Sequence, residues 1–327
     1  MSQIYRIAIV GCGGISNAHG NACLESEQLD LVAACDINSQ ALKRFSDQFN
    51  IEHTYADLRQ MLEKQTPDVL VIATWPAIHL NNILEAVRGN AKAILCEKPI
   101  ALNANQVEQM IQIATNHNIL LMEGFMYRHH PLTLTVKQKI ESGEIGEIRY
   151  IRSTFTTGLT DYTNWRLRGD LGGGAMMDLG CYCINAIRYF VGSEPKRVWT
   201  SGKYVFATNV WETVCGTFDF GNSVYGQFDS GFGTLWRESY EIVGTAGSIL
   251  APVAWGNNKG NTSFILNGET VEVNGVNPYA AELNNLCQAI STNETLLVPL
   301  EDSLNNARVI DATHESAKSG RCVTVEK

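Results

Sequence analysis

Short apolar runs alternate with amphipathic stretches along the first 122 residues. The apolar runs, each of a length suited to a buried strand, are residues 4–10, 29–35, 68–73, 93–96 and 118–122. Helical stretches lie near 77–89 and 104–117. Strands that alternate with helices favour a parallel sheet, because parallel strands need crossover connections. We therefore predict an α/β fold with a doubly wound N-terminal domain at residues 1–122.

After residue 122 the pattern changes to longer segments in which apolar and polar residues alternate. Segments 213–220 and 223–228 are joined through Gly221-Asn222, which is typical of an antiparallel hairpin. Further strand candidates are 147–156, 197–207, 236–243 and 262–273, and helix candidates are 131–141, 175–191, 279–290 and 302–317. Residues 123–327 are therefore predicted to form a second, α+β domain.

Composition and charge exclude several classes of protein. Hydrophobic residues make up 45% and charged residues 18% of the chain, as in ordinary globular proteins. The formal net charge is -9 and no basic run could follow a phosphate backbone, so nucleic acid is not an expected partner. No apolar run reaches the roughly 18 residues that a membrane span requires. Irregularly spaced cysteines and an N-terminus unlike a signal peptide favour a cytoplasmic protein.

Two groups of metal-ligating residues fail the usual tests for a metal site. Cys181 and Cys183 are separated by one residue, unlike the usual zinc pair, and no second pair completes four ligands. Adjacent side chains on a helix point in different directions, so His129 and His130 favour packing or capping. We therefore expect no metal site.

A glycine-rich turn follows the first predicted strand. It contains Gly11, Gly13, Gly14 and Ile15, and Ser16 stands where dinucleotide-binding turns carry a third small residue. Backbone amides and a helix N-terminus in such a turn can bind a pyrophosphate. By itself the turn is a weak signal, because glycine-rich turns also join strands to helices for steric reasons.

Asp36 strengthens the prediction of a dinucleotide site. It ends the second predicted strand, about 20 residues after the turn, where a carboxylate can accept both ribose hydroxyl protons. This carboxylate would repel a 2′-phosphate, and neither Ile37 nor Asn38 supplies a compensating charge. We predict NAD as the cofactor, with NADP as the alternative because Lys43 or Arg44 could reach a phosphate. A purely structural interpretation is that Asp36 only caps the next helix.

Five further segments carry a resemblance to a known family. They are Ala73-Thr74-Trp75-Pro76 with His79, then Cys96-Glu97-Lys98-Pro99, and residues 122–131, 172–182 and 241–248. In this order they resemble the glucose-fructose oxidoreductase and inositol dehydrogenase family of nicotinamide enzymes. Tyr182, four residues after Asp178, stands where inositol dehydrogenases carry histidine. The sequence is therefore most similar to the branch of xylose and trans-dihydrodiol dehydrogenases.

The resemblance implies an N-terminal Rossmann domain and a C-terminal domain with an open, mostly antiparallel sheet. It implies a homodimer or homotetramer that associates through this sheet. It also implies an enzyme that transfers hydride between NAD(P) and a sugar, cyclic polyol or related hydroxy or carbonyl compound. Besides the glycine-rich turn, the cofactor would contact Thr74, Trp75, His79, Glu97 and Lys98.

The catalytic hypothesis joins Lys98 with two residues of a predicted helix. By analogy with the family, the Lys98 ammonium would lie near the nicotinamide and stabilise a developing alkoxide, and a cis peptide before Pro99 would turn the chain there. Asp178 and Tyr182, at i and i+4, would share one helix face. We assign Tyr182 as the acid/base, with its pKa lowered by Lys98, and Asp178 as the group that orients the substrate.

Four residues are candidates for lining a polyhydroxylated substrate, namely Tyr127, Arg128, Trp165 and Arg166. Sugars pair apolar CH faces with aromatic rings and hydroxyl groups with fixed polar groups. The structural alternatives are packing for Trp165, an interdomain ion pair for Arg128, and loop organisation for His79. Two other functions stay open, a catalytically silent nucleotide-binding redox sensor and a methyltransferase with a similar first turn.

Overall fold

The computed structural model describes residues 3–89, 91–255, 259–292 and 295–326. The chain divides into two compact units. The first unit is Met1–Ala101, Asn105–His129 and Asn277–Ser303, and the second is Leu102–Ala104, His130–Val276 and Leu304–Lys327. Among the described residues, no helix has the length and apolar character needed to cross a membrane.

Parallel strands form the centre of the first unit. They are β1 (Tyr5–Val10), β2 (Leu29–Cys35), β3 (His53–Tyr55), β4 (Val69–Ile72), β5 (Ala93–Glu97) and β6 (Leu120–Gly124). The connecting helices are α1 (Ser16–Glu25), α2 (Ser39–Phe49), α3 (Leu58–Gln65), α4 (His79–Arg88) and α5 (Ala104–His117). The strand order is β3-β2-β1-β4-β5-β6, that of a doubly wound dinucleotide-binding sheet. The predicted fold class of this part is confirmed.

The strands of this sheet are continuous apolar runs because helices cover both faces. All four residues of β4, for example, are completely buried. In such a sheet, ligands bind outside the carboxyl ends of the strands, where the strand order reverses. The loops after β1, β4 and β5 therefore become the positions of interest.

A second, nine-stranded sheet forms the centre of the second unit. Its strands are β7 (Ile148–Thr156), β8 (Arg197–Val205), β9 (Val210–Gly221), β10 (Val224–Gly231), β11 (Arg237–Gly244), β12 (Ser248–Ala251), β13 (Asn261–Leu266), β14 (Glu269–Asn274) and β15 (Val323–Thr324). Their order is β14-β13-β12-β11-β7-β10-β9-β8-β15. Among the described strands of this second sheet, only β7 and β10 pair in parallel. The predicted mostly antiparallel sheet is confirmed.

The remaining helices are α6 (Pro131–Glu141), α7 (Cys181–Val191), α8 (Pro278–Thr292) and α9 (Leu300–Ser319). Short 3-10 turns lie at Pro76–Ile78, Met126–His129, Trp165–Leu167 and Gly169–Leu171, and a π turn lies at Met176–Gly180. His130 caps α6, because its Nδ1 accepts the Leu132 amide at 3.1 Å. The capping interpretation of the two adjacent histidines thus holds for His130.

Two predicted elements are wrong in detail. Residues 262–273 form the hairpin β13–β14 rather than one strand, because Asn267 and Gly268 adopt φ angles of 53° and 88° in the connecting turn. The predicted helix 175–191 is α-helical only from Cys181, since the preceding turn is a π turn. Strands β3, β12 and β15 and helix α3 are additional short elements that the pattern did not predict.

The sequence pattern predicts a single domain boundary at residue 122. In the structure, helix α8 also belongs to the first unit, so this unit is discontinuous in sequence. This helix packs against α1, β5 and β6, and its Leu283 and Leu286 are completely buried. An amphipathic pattern shows that a helix has a buried face but not which core that face joins. The association of α8 with the first unit is therefore a product of tertiary packing.

Candidate functional site

The glycine-rich turn lies between β1 and α1, at the carboxyl edge of the parallel sheet. Gly11 has a φ angle of 93°, and a Cβ atom there would lie 2.6 Å from the carbonyl oxygen of Ala73. By contrast, a Cβ atom on Gly13 or Gly14 would meet no described atom within 4 Å apart from those of the glycine itself and its chain neighbours. The turn is therefore tightly packed at Gly11 and has open space beside Gly13 and Gly14, as pyrophosphate binding requires.

Ser16 occupies the third small position without obstructing the turn. Its side chain is completely buried, and its hydroxyl donates to the Gly13 carbonyl oxygen at 2.6 Å. Helix α1 begins at Ser16 and has no side-chain cap among the described residues. The amides at an uncapped helix N-terminus carry partial positive charge and can donate to a phosphate. The turn and α1 together fit a dinucleotide.

Asp36 follows β2 and is hydrogen-bonded to the turn. Its Oδ2 accepts the Cys12 amide at 2.7 Å, and its Oδ1 accepts the Asn38 amide at 2.7 Å. Each carboxylate oxygen can accept a further hydrogen bond, so acceptors remain for ribose hydroxyl groups. Asn38 is the cap of α2, since its side chain accepts the Gln40 and Ala41 amides. The interpretation of Asp36 as the cap of this helix is therefore wrong.

Lys98 directly follows β5, at the same edge of the sheet as the turn. The Lys98–Pro99 peptide bond is cis. Two buried carboxyl groups hold the backbone on either side of Pro99. Glu97 Oε2 accepts the Lys98 amide at 3.2 Å, and Glu123 Oε1, from β6, accepts the Ile100 amide at 2.9 Å. The backbone around Lys98 is thus anchored by side chains from two neighbouring strands.

His79 connects the loops that follow β4 and β5. Its buried ring has Nε2 3.1 Å from the Thr74 carbonyl oxygen and Nδ1 3.1 Å from the Ile100 carbonyl oxygen. Burial lowers the pKa of His79, so the neutral ring donates to one carbonyl at a time. These contacts agree with the alternative in which His79 organises its loop. Trp75, next to Thr74, is exposed.

Tyr182 lies on α7 among aromatic side chains that the sequence analysis did not identify. Its ring centroid is 5.6 Å from those of Phe155 and Trp255, and Phe155 lies 5.6 Å from the exposed Trp236. These rings form an apolar wall around Tyr182. They come from positions far apart along the chain, on or beside β7, β11 and β12, so no local sequence signal could have revealed the cluster.

Asp178, Arg166 and Trp165 are in contact within the second unit. Arg166 Nε lies 2.8 Å from Asp178 Oδ2, with the Asp178 side chain 5% and the Arg166 side chain 39% exposed. The Arg166 guanidinium lies 5.0 Å from the centre of the Trp165 ring. Asp178 lies in the π turn before α7, and such turns are frequent at functional sites. Three of the predicted residues therefore form one cluster.

Tyr127 and Arg128 are buried in the first unit. Arg128 Nη1 lies 2.8 Å from Asp302 Oδ2, and Arg128 Nη2 donates to the Leu297 carbonyl oxygen at 3.0 Å. The ring of Tyr127 packs edge-on against Phe125. The contacts of Arg128 agree with an ion pair, but its partner belongs to the same unit rather than to a second domain.

Comparison with known proteins identifies the family. Residues 5–125 match the oxidoreductase family with an NAD-binding Rossmann fold, and residues 133–250 match the GFO/IDH/MocA C-terminal domain. The chain is 26% identical to D-xylose 1-dehydrogenase (NADP(+)) 2 of Haloferax volcanii, over 97% of this chain and 99% of that protein. It is 29% identical to trans-1,2-dihydrobenzene-1,2-diol dehydrogenase of Xenopus laevis, over 88% of this chain and 89% of that protein.

A similar solved structure is that of a 3-ketoreductase from Actinomadura kijaniata in complex with NADP and TDP-benzene. It has a TM-score of 0.90 at 24% identity, covering 97% of this chain and 98% of that one, which shows a common fold. The two family matches follow one another along the chain as the two predicted domains do. The chain belongs to the GFO/IDH/MocA family of NAD-binding oxidoreductases.

Proposed function

We propose that this protein is a dehydrogenase or reductase that transfers hydride between NAD and a hydroxyl-bearing carbon of a sugar, cyclic polyol or related compound. The observation that carries the proposal is the open, uncapped turn at Gly13 and Gly14, at the same sheet edge as the anchored Lys98 segment. Hydride transfer needs both features, because the cofactor must be bound where a positive charge can reach the reacting oxygen.

Three residues of this chain would have separate roles in the reaction. Lys98 stabilises negative charge on the substrate oxygen, Tyr182 exchanges a proton with that oxygen, and Asp178 orients a neighbouring hydroxyl group. A bound nicotinamide supplies the hydride donor or acceptor.

A relative supports the choice of this lysine and tyrosine as a pair. The 3-ketoreductase of Actinomadura kijaniata has also been solved with a lysine replaced by alanine and, separately, with a tyrosine replaced by phenylalanine. Those two positions are separated by the same number of residues as Lys98 and Tyr182. The spacing supports a joint test of the two residues.

The aromatic wall around Tyr182 favours a substrate that has an apolar face. The exposed Trp236 and the Trp165 ring can pack against the CH face of a sugar or polyol ring, while Arg166 contacts its hydroxyl-bearing edge. Phe155 and Trp255 are buried and support this wall from behind. The names of the relatives, a xylose dehydrogenase and a dihydrodiol dehydrogenase, agree with a cyclic hydroxy compound.

On the cofactor side, backbone amides near Gly13, Gly14 and Ile15 bind the pyrophosphate. Thr74 and Trp75 contact the cofactor directly. Glu97 and His79 affect cofactor binding indirectly, because they fix the loops that contact the cofactor.

NAD is preferred over NADP because Asp36 places a carboxylate where a 2′-phosphate would lie. Ile37 is 87% exposed and carries no charge. Lys43 Nζ lies 2.9 Å from Asp47 Oδ2 on the exposed side of α2, so this cation already has a partner. An uncharged Ile37 and a paired Lys43 leave little positive charge to offset the charge of a 2′-phosphate.

Association of two or four copies through the nine-stranded sheet is also proposed. Exposed aromatic side chains support it: Tyr150 and Tyr225 are register partners on β7 and β10 and stack at 6.2 Å, and the strand register puts Trp199 on the same face. Sedimentation of the wild type should show a dimer or tetramer, and Trp199→Lys should shift the distribution towards monomers. A monomeric wild type would contradict this proposal.

The function is tested by following the absorbance of reduced nicotinamide with a panel of aldoses, cyclic polyols and their keto forms, in both directions. We expect turnover of at least one compound, and a loss of about a hundredfold or more in Tyr182→Phe with NAD affinity unchanged. Binding of NAD without turnover of any compound would instead support a redox sensor. Binding of S-adenosylmethionine in place of NAD would support a methyltransferase.

A further inference from the structure

Three buried carboxyl groups lie together beside the Lys98 segment. Glu97 ends β5, Glu123 lies in β6, and Glu282 lies on α8, which packs against both strands. Glu97 is 4%, Glu123 2% and Glu282 0% exposed to solvent. Neighbouring carboxylates in a protein interior repel one another, and burial penalises the charge on each. The three groups are therefore not expected to be ionised together.

Glu97 and Glu123 have partners that suit ionised carboxylates. Glu97 Oε1 lies 2.7 Å from Nε2 of His19, a completely buried residue of α1, and its other oxygen accepts the Lys98 amide. Glu123 accepts the Ile100 amide. Both carboxylates are thus acceptors for groups that fix the Lys98 segment.

Glu282 has a different environment. Among the described residues, neither of its carboxyl oxygens has a hydrogen-bond partner. Burial, reinforced by the charges of Glu97 and Glu123, raises the pKa of Glu282 well above its usual range. Tyr279, one turn earlier on α8, packs edge-on against His19 at 5.2 Å, and burial raises its pKa as well. Both side chains of α8 therefore favour their neutral forms.

The elements packed against α8 contribute few groups that could offset a third negative charge. Besides Glu97 and Glu123, the titratable groups on these elements are His19, Cys23 and Glu25 of α1, Cys96 of β5, and Tyr127, Arg128 and His129 of the turn Met126–His129. Glu25 accepts a hydrogen bond from the Asn277 side chain at 3.0 Å. Arg128 pairs with Asp302, and burial lowers the pKa of His129 to about 4. His19 is already bonded to Glu97. Burial raises the pKa of both thiols, which favours their neutral forms.

We propose that Glu282 keeps a proton in the folded protein at neutral pH, and that its uncharged carboxyl group is a positioning residue for Lys98. The proton on Glu282 allows Glu97 and Glu123 to stay ionised and to hold the backbone on both sides of Pro99. Ionisation of Glu282 would add a third negative charge and weaken that hold. The positioning role rests on the proposed function of Lys98, whereas the proton on Glu282 does not.

The first test compares the wild type with Glu282→Gln, which keeps the shape of a neutral carboxyl group. The unfolded chain releases this proton above a pKa of about 4.3, but the folded wild type retains it, so the wild type loses stability as pH rises. Relative to the wild type, the variant should gain about tenfold in its folding equilibrium constant per pH unit between about pH 5 and about pH 8. The exposed control Glu269→Gln should show no such trend.

Infrared difference spectra provide a second readout that needs no turnover. The wild type at neutral pH should show the stretching band of a protonated carboxyl group, and Glu282→Gln should lack it. The proposal that Glu282 is protonated would be overturned by a missing band or by a stability difference that does not change with pH. It would also be overturned if Glu282→Gln failed to fold.

The positioning role is tested by the pH profile of kcat. Glu282→Gln should stay within about twofold of the wild type at neutral pH and should keep its activity at alkaline pH, where the wild type loses activity as Glu282 ionises. The KM for NAD should not change. If the infrared band behaves as expected but the wild type and Glu282→Gln lose kcat equally at alkaline pH, the positioning role is overturned. The protonation of Glu282 is then still established. If Lys98 proves dispensable for turnover, the proposed function fails and the infrared result still stands.

Discussion

The two units present their candidate ligand contacts in different ways. In the first unit the contacts are mainly backbone groups, the amides of the turn at residues 11–16 and the uncapped N-terminus of α1. In the second unit they are side chains, with Tyr182 enclosed by rings and Asp178 paired with Arg166. Backbone contacts follow from a local strand, turn and helix, whereas side-chain clusters require distant strands to meet.

The units also differ in how they hold charge. The buried His19–Glu97 pair in the first unit is shielded from water and supports the backbone. In the second unit, the Asp178 carboxylate is buried but its partner Arg166 is 39% exposed, so the guanidinium can contact a ligand while it stays paired with Asp178. The charged pair in the first unit is therefore buried on both sides, whereas the pair in the second unit has one partner that a ligand can reach.

The largest effect on cofactor affinity is expected from Gly13→Val. Apart from its chain neighbours, no described atom lies within 4 Å of a Cβ atom at this position, so the fold should accept the side chain. The valine side chain would nevertheless occupy the space of the pyrophosphate. NAD affinity should fall by about a hundredfold, or about 2.7 kcal/mol, with stability changed by less than about 0.5 kcal/mol. Gly11→Ala is the contrast, since its Cβ atom would lie 2.6 Å from the Ala73 carbonyl oxygen and should destabilise the fold. Normal NAD binding by Gly13→Val would exclude this turn as the site.

The next largest effect concerns cofactor choice. Asp36→Ser combined with Ile37→Arg removes the repelling carboxylate and adds a cation at an exposed position. The ratio of NADP to NAD affinity should rise by about thirtyfold, or about 2 kcal/mol, in a fluorescence titration. Ile37→Arg alone is the matched control and should shift the ratio much less. A wild type that already prefers NADP would contradict the role of Asp36.

A smaller effect is expected from Asp178→Asn in the second unit. The substitution removes the carboxylate that pairs with Arg166 but keeps the size of the side chain. The KM for the hydroxy compound should rise about tenfold, the cost of one charge-assisted hydrogen bond, and the KM for NAD should not change. A rise in the KM for NAD alone would assign Asp178 to the cofactor instead.

The smallest effect compares one buried histidine from each unit. Burial lowers the pKa of His129 in the first unit and of His314 in the second to about 4. The unfolded chain takes up a proton below a pKa of about 6.5 and the folded ring does not, so stability is lost as pH falls. Each ring should lower the folding equilibrium constant of the wild type about fourfold between about pH 8 and about pH 6. This loss should be absent in His129→Gln for the first ring and in His314→Gln for the second. Equal pH dependence of wild type and variant would show that the replaced ring takes up a proton in the fold as readily as in the unfolded chain.

The same contrast explains what the sequence could predict. The turn, the acidic end of β2 and the segment after β5 are local patterns, and each lies at the carboxyl edge of the sheet, as expected. Phe155, Trp236 and Trp255 could not be predicted, since they meet only when β7, β11 and β12 pair. The π turn at Asp178 and the burial of Glu282 beside β5 and β6 likewise depend on packing and not on a periodic pattern.

The most direct test of the central proposal is a double-mutant cycle on kcat/KM at saturating NAD, with Lys98→Met, Tyr182→Phe and the combined variant. If both residues act on one substrate oxygen, each single variant should lose about a hundredfold or more, and the double variant should lose little beyond the larger single loss. Losses that multiply, or near-normal turnover in either single variant, would show that Lys98 and Tyr182 do not share the reaction.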